Sequence, residues 1–234
     1  LPEDAQGHGP RAGAAPVPDP GARFRRSDTA RLEALSDGVF AVALTILVLD
    51  LTDPPHRDGG LGHALAAQWP GYVGYVASFS YVGVIWLNHH QAFARIRHVD
   101  RSLAGWNLAL VGITSALAFP TSVVSDTLSE SVTNEDAKVA VALYALVAGL
   151  MCAAWQHLYR FLSKRPDLME PGVEPGYLRH GVLRSFAGLV AYAVAALLGV
   201  FVAPLLALAV FLLAPVFYFL TTEGMPRRGT RPIS

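Results

Sequence analysis

The stretch 31–51, RLEALSDGVFAVALTILVLDL, constrains the fold of this chain more than any other. At about 1.5 Å per residue, a helix of this length crosses a hydrocarbon core of about 30 Å. It is aliphatic for most of its length, yet it carries Ser36 and Asp37 near its start. A carboxylate inside a membrane is costly, so Asp37 marks either a functional site or a buried brace.

Composition agrees with a membrane setting. Hydrophobic residues make up 53% of the 234 residues and charged ones only 15%, against about 25% charged in soluble domains. Net charge is zero, which gives no reason to expect a nucleic-acid partner. The single cysteine, Cys152, excludes an intrachain disulfide and reads as a packing residue. Residues 1–26 are rich in Pro, Gly and Ala and end in Arg23, Arg25 and Arg26. Such a segment cannot bury enough apolar surface to fold and is expected to be a disordered basic cytoplasmic tail. Residues 27–223 are expected to form one transmembrane domain, and 224–234 a second cytoplasmic tail.

Hydropathy predicts an all-α integral membrane fold with six transmembrane helices, at about 29–51, 70–94, 103–124, 137–161, 182–201 and 204–222. Ser27 or Asp28 would cap the first. Trp69-Pro70 would open the second at the interface, and Pro204 the sixth at its first turn. Pro120 and Pro215 would loosen their helices. The segment 163–181 reads as a connector. With six spans, sixteen Lys and Arg fall on the side of the termini, and only Arg57 and Lys138 on the other. That bias puts both termini in the cytoplasm.

On a helical wheel Val42, Ile46 and Leu49 fall within roughly 60° of one another. Thr45 lies on the shoulder of this column, and Asp37 on the opposite face. The column could equally face lipid or a neighbouring helix. Asp37 is expected to pair with Arg31 or a histidine of another span. The second span ends in WLNHHQAFARI, 86–96, which places Asn88, His89 and His90 at helical depth. Adjacent histidines diverge by about 100° and cannot aim at one metal from one helix. Helical zinc pairs sit four residues apart, and no Cys or carboxylate cluster completes a site, so no metal or cofactor is expected. Hydrogen bonds from these groups to Asp37, Arg31 or Asn107 are the expected alternative. GYVGY from Gly71 lacks the order of a potassium-channel filter. No nucleophile–base pair and no phosphate loop appears, so no catalytic residue is assigned.

These residues resemble the transmembrane protein 175 family, the lysosomal potassium channel and its prokaryotic relatives. The family's first helix carries an arginine, then Phe-Ser-Asp, then an aliphatic run. Here the arginine is Arg31 and the triplet is Leu35-Ser36-Asp37, with Leu35 in place of the usual Phe. Trp86, His89 and His90 in the second span, and Asn107 with Phe119-Pro120-Thr121 in the third, extend the likeness. The resemblance implies a homotetramer in a bacterial plasma membrane, with the first helices lining a central pore permeable to K⁺ and other monovalent cations. It implies a constriction at Val42, Ile46 and Leu49, a selectivity-related Thr45, and a structural polar network of Arg31, Ser36, Asp37, His89, His90 and Asn107. Val42 is smaller than the usual Ile or Leu, which would move the tightest point towards Ile46 or Leu49. Two other readings stay open: a proton-coupled secondary transporter using Asp37 and the second-span histidines, and a membrane haem or metal protein using His89 and His90.

Overall fold

A computed structural model describes residues 20–222, which are almost entirely helical. The helices are α1 (Pro20–Ile46), α2 (Leu61–Ala67), α3 (Trp69–Phe93), α4 (Arg101–Ser115), α5 (Ala118–Glu130), α6 (Glu135–Ser163), α7 (Pro175–Phe201) and α8 (Pro204–Leu220). A 3₁₀ turn, Leu47–Asp50, extends α1. The all-α membrane class holds, and the chain is a multi-pass membrane protein.

The expectation of six spans does not hold. Four helical stretches are long and apolar enough to cross a membrane among the described residues: Thr29–Asp50, Arg101–Glu130, Glu135–Ser163 and Gly176–Phe201. α3 has the length but not the composition, its aliphatic residues being interrupted by Gly, Ser and Tyr along its length and by Asn88, His89, His90 and Gln91 at its end. α8 is apolar but has only 17 residues, about 26 Å of helix. The sixteen-to-two segregation of Lys and Arg belongs to the six-span arrangement and does not carry over to these four, which put Arg57, Arg95, Arg97, Lys164 and Arg165 on the side opposite the termini.

Boundaries moved for local reasons. The expected third span, 103–124, is α4 and α5 joined by a tightened turn, with the Leu117 N–H bonded to the Thr114 carbonyl at 3.1 Å. Pro120 causes this, because it has no N–H to offer the carbonyl four residues back. α1 runs unbroken from Pro20, so Ser27 and Asp28 are not caps, and the last part of the expected tail is helical. Residues 1–19 and 223–234 lie outside the described residues. α7 starts at Pro175, inside the expected connector. Pro204 opens α8 as expected, Pro215 lies within it, and Asn134 caps α6 by accepting from the Ala137 N–H at 2.8 Å.

α6 is the spine, packed most extensively on α7 and also against α4, α5 and α8. Close approach depends on glycine at Gly188, where a Cβ would collide with the Tyr218 hydroxyl and lie 2.9 Å from Cys152 Sγ. Cys152 is buried at this junction and takes a packing role. Among the described residues α1 packs chiefly on α3, α4 and its own 3₁₀ extension.

At one end of the bundle the segment after α6 straps the turn between α3 and α4. The Arg97 N–H donates to the Leu168 carbonyl and the Glu170 N–H to the Arg95 carbonyl, both at 2.8 Å. Arg165 bridges Asp100 and Asp167 at 2.9 Å each, while Asp100 caps α4 by accepting from the Leu103 N–H at 2.7 Å. The Arg165 guanidinium holds the Asp167 carboxyl below its ordinary value, and Asp167 raises Arg165 in return.

Candidate functional site

The sequence-predicted residues gather on α1 and its two neighbours, on two unlike faces. The inward face carries a buried polar chain of Ser36, Asn107 and His89, all 0% exposed. Asn107 is the centre. Its amide N–H donates to Ser36 Oγ at 2.8 Å, so its carbonyl faces His89 Nε2, also at 2.8 Å. His89 therefore carries its proton on Nε2 in this arrangement. Ser36 passes the chain to the backbone by donating to the Leu32 carbonyl at 2.9 Å. Three helices are tied by one asparagine. Phe93 stacks on the His89 ring at 4.1 Å and Phe40 meets its edge at 5.1 Å, which excludes water from the junction. His89 Nδ1 is buried without a hydrogen-bond partner among the described residues.

A second pair of contacts lies nearer the surface. The Trp86 Nε1–H donates to Asp37 Oδ1 at 2.9 Å, and His90 Nδ1 meets Glu33 Oε1 at 2.9 Å. Glu33 and Asp37 are one helical turn apart on α1, as are Trp86 and His90 on α3, so the contacts form a two-rung ladder. The rings of Trp86 and His90 are near-parallel at 6.2 Å.

The expected network therefore forms in part and with different partners. Ser36, His89 and Asn107 come together, but Asp37 pairs with an indole rather than with Arg31 or a histidine. His90 takes Glu33, a residue the sequence reading left unassigned. Arg31 is exposed. Asn88 turns the other way, accepting from Arg184 at 2.6 Å while donating to the Val84 carbonyl at 2.8 Å. The spacing of four shared by Glu33/Asp37 and Trp86/His90 was the available signal for the ladder. Among the described residues His89 bonds to an amide and Asp37 to an indole, with no direct hydrogen bond between the two titratable groups.

The outward face of α1 is bare. Val42, Ile46 and Leu49 are 56%, 44% and 70% exposed, and Leu35 continues the line at 50%. Thr45 is exposed beside them, its hydroxyl donating to the Val42 carbonyl at 2.9 Å. Because the proton is engaged, the oxygen lone pairs point outward as acceptors.

Comparison with known proteins places this geometry. Residues 31–117, which hold the aliphatic face, the polar chain and the ladder, match the family described as endosomal/lysosomal potassium channel TMEM175. A potassium channel of Streptomyces collinus is 38% identical over 203 residues, covering 86% of this chain and 97% of that one. The chain belongs to the TMEM175 family. It is thus a member of an ion-channel family and not of an enzyme family. The crystal structure of a lysosomal potassium-selective channel TMEM175 homolog from Chamaesiphon minutus superposes with a TM-score of 0.73. That match has 27% identity and covers 84% of this chain and all of the other. The human endosomal/lysosomal proton channel TMEM175 is 31% identical over 180 residues, which are 72% of this chain and 34% of the human one.

Proposed function

We propose that the chain forms a potassium-permeable cation channel whose constriction is the outward face of α1. The observation that carries this is the bare column of Val42, Ile46 and Leu49 on an apolar helix, of which only 22% is buried within the chain. A single copy has one such face, so a pore needs several; the family resemblance makes the number four. Facing aliphatic rings exclude water when close together and admit a partly hydrated cation when they part. Thr45 supplies acceptors at that level. Its hydroxyl oxygens replace a few hydration waters, so K⁺ is favoured over Na⁺ modestly, without the caged fit of a carbonyl filter. Ser36, Asn107 and His89 hold the column at a set angle from behind, and the Asp37–Trp86 bond braces its start. Residues 27–223 form the channel unit in a bacterial plasma membrane, with flanking tails and both termini cytoplasmic, a placement that comes from the family resemblance.

The test is the reversal potential of purified protein in planar bilayers under opposed K⁺ and Na⁺ gradients, with Ile46→Asn and Leu49→Asn alongside. Both variants are expected to raise the resting conductance; absence of K⁺ current in all three proteins would overturn the channel reading. Proton permeation is the second reading, favoured by the human relative being described as a proton channel. A pH gradient across the same bilayers separates the two by shifting the reversal potential at constant K⁺.

A further inference from the structure

α6 and α7 meet along a trough of about 400 Å³ whose lining is almost wholly apolar. Small residues make it: Ala142, Gly149 and Ala153 on α6 face Ala193 and Ala196 on α7. Leu146 and Leu150 border it on α6 and are 59% and 48% exposed, so the trough opens outward, away from the core of the bundle. From Ala142 to Ala153 it runs about 16 Å along the helix axis. That is the depth of one leaflet of a hydrocarbon core of about 30 Å.

The groups at one end of the trough point to its occupant. Ala142, Leu146, Gly149 and Ala153 recur at alternating intervals of four and three, which keeps them on one side of α6. The next positions in that series are Gln156 and Arg160. Gln156 is only 9% exposed, and its amide Nε2 is buried without a hydrogen-bond partner among the described residues. A donor this deep calls for an acceptor. Arg160 is exposed one turn further on, and Lys164 one turn beyond that. Asp100 and Asp167, in the adjoining strap, are matched by Arg165 at 2.9 Å each. The depth of these groups is marked separately. Trp106 of α4 is 41% exposed and lies against His157, with ring centroids 3.8 Å apart. Tryptophans on membrane helices gather at the headgroup level. The trough therefore lies in hydrocarbon, and its donors begin where the headgroups do.

We propose that the α6–α7 trough binds an anionic phospholipid. One acyl chain lies along Ala142–Ala153, the phosphate meets Arg160 and Lys164, and Gln156 donates to an ester or phosphate oxygen. The site does not depend on the channel reading. An acyl chain gains little by leaving other lipid tails for this trough, since both surroundings are equally apolar. Headgroup contacts therefore decide which lipid stays, and two cations beside an amide donor select a negative one. A second copy of the chain fits less well. Copies inserted the same way round bring their own Arg160 and Lys164 to the same surface, where like charges repel.

The test is thermal unfolding of the full chain in detergent with phosphatidylglycerol, with phosphatidylcholine of the same acyl chains, or with inorganic phosphate. At a tenfold excess over its Kd, phosphatidylglycerol is expected to raise Tm by about 3–6 °C. The other two are expected to leave it within about 1 °C. Arg160→Gln/Lys164→Gln is expected to abolish the rise and Gln156→Leu to weaken it. Ala153→Leu, which fills the trough and spares the donors, is expected to abolish it too. An equal rise from phosphatidylcholine or from phosphate alone overturns the proposal, as does a full rise in any of the three variants. Native mass spectrometry identifies the occupant: anionic phospholipid retained by the wild type and lost from Ala153→Leu supports the site. A variant that loses a subunit and keeps its lipid assigns the trough to a neighbouring copy and overturns it.

Discussion

α1 and α6 are both long apolar helices, and the chain treats them in opposite ways. Half of the apolar stretch of α6 is buried within the chain, against 22% of that of α1. α6 has its neighbours in the same polypeptide, and its small residues Ala140, Ala148 and Gly149 let them close in. α1 offers one face to α3 and α4 and leaves the other without partners. Lipid tails are as apolar as Leu, so burial in a membrane exerts no pull on such a face. What orients α1 is the polar chain behind it. Stability should therefore reside in the α6 region, and conduction in α1.

The sharpest way to break this contrast is to overpack the α6–α7 junction. Gly188→Ala should cost about 3 kcal/mol or more, because Tyr218 and Cys152 cannot both give way. Thermal unfolding in detergent would report it, and an unchanged Tm would show that the junction is looser than drawn. Asn107→Ala comes next at about 2 kcal/mol, leaving Ser36 Oγ and His89 Nε2 buried without their shared partner. It should also alter conductance, since it frees the angle of α1. Trp86→Phe, which removes one half-exposed bond to Asp37, should cost about 1 kcal/mol by the same measurement. Ile46→Asn should change Tm least among these, within about 0.5 kcal/mol, while changing conductance most. An Ile46→Asn chain with a much lower Tm and an unchanged current would invert the comparison.

The smallest effect concerns pH. Asp167 is held below its ordinary value of 3.8 by Arg165 in the folded chain. Its contribution is therefore complete above that value and is lost as pH falls through the lowered one. Both groups are exposed, so acid should loosen the strap with little change in global Tm. Amide exchange at Arg97 and Glu170, compared at neutral and acidic pH, would reveal it.

Much of the candidate site is legible in the sequence. Period and residue type place Val42, Ile46 and Leu49 on one side of a helix, because a helical wheel needs only the sequence. Pro204 at a first turn and the break near Pro120 follow from a missing N–H. Pairing was not legible in the same way. Asp37 could meet Arg31, His89 or Trp86 by chemistry alone, and only the register of α3 against α1 selects the indole. The same register gives His90 to Glu33 and leaves Arg31 exposed. The count of spans failed because hydropathy blends two demands: α3 is long but carries polar groups that face its neighbours, and α8 is apolar but short.

By itself the sequence determined that this is an all-helical membrane chain and which helix carries the aliphatic column. These follow from local composition and the fixed geometry of the helix. Only the tertiary structure decided that the column stays uncovered and that Asn107 joins three helices. Each of those depends on which residues from distant parts of the chain arrive at one place, and interhelical register is a property of the whole packing.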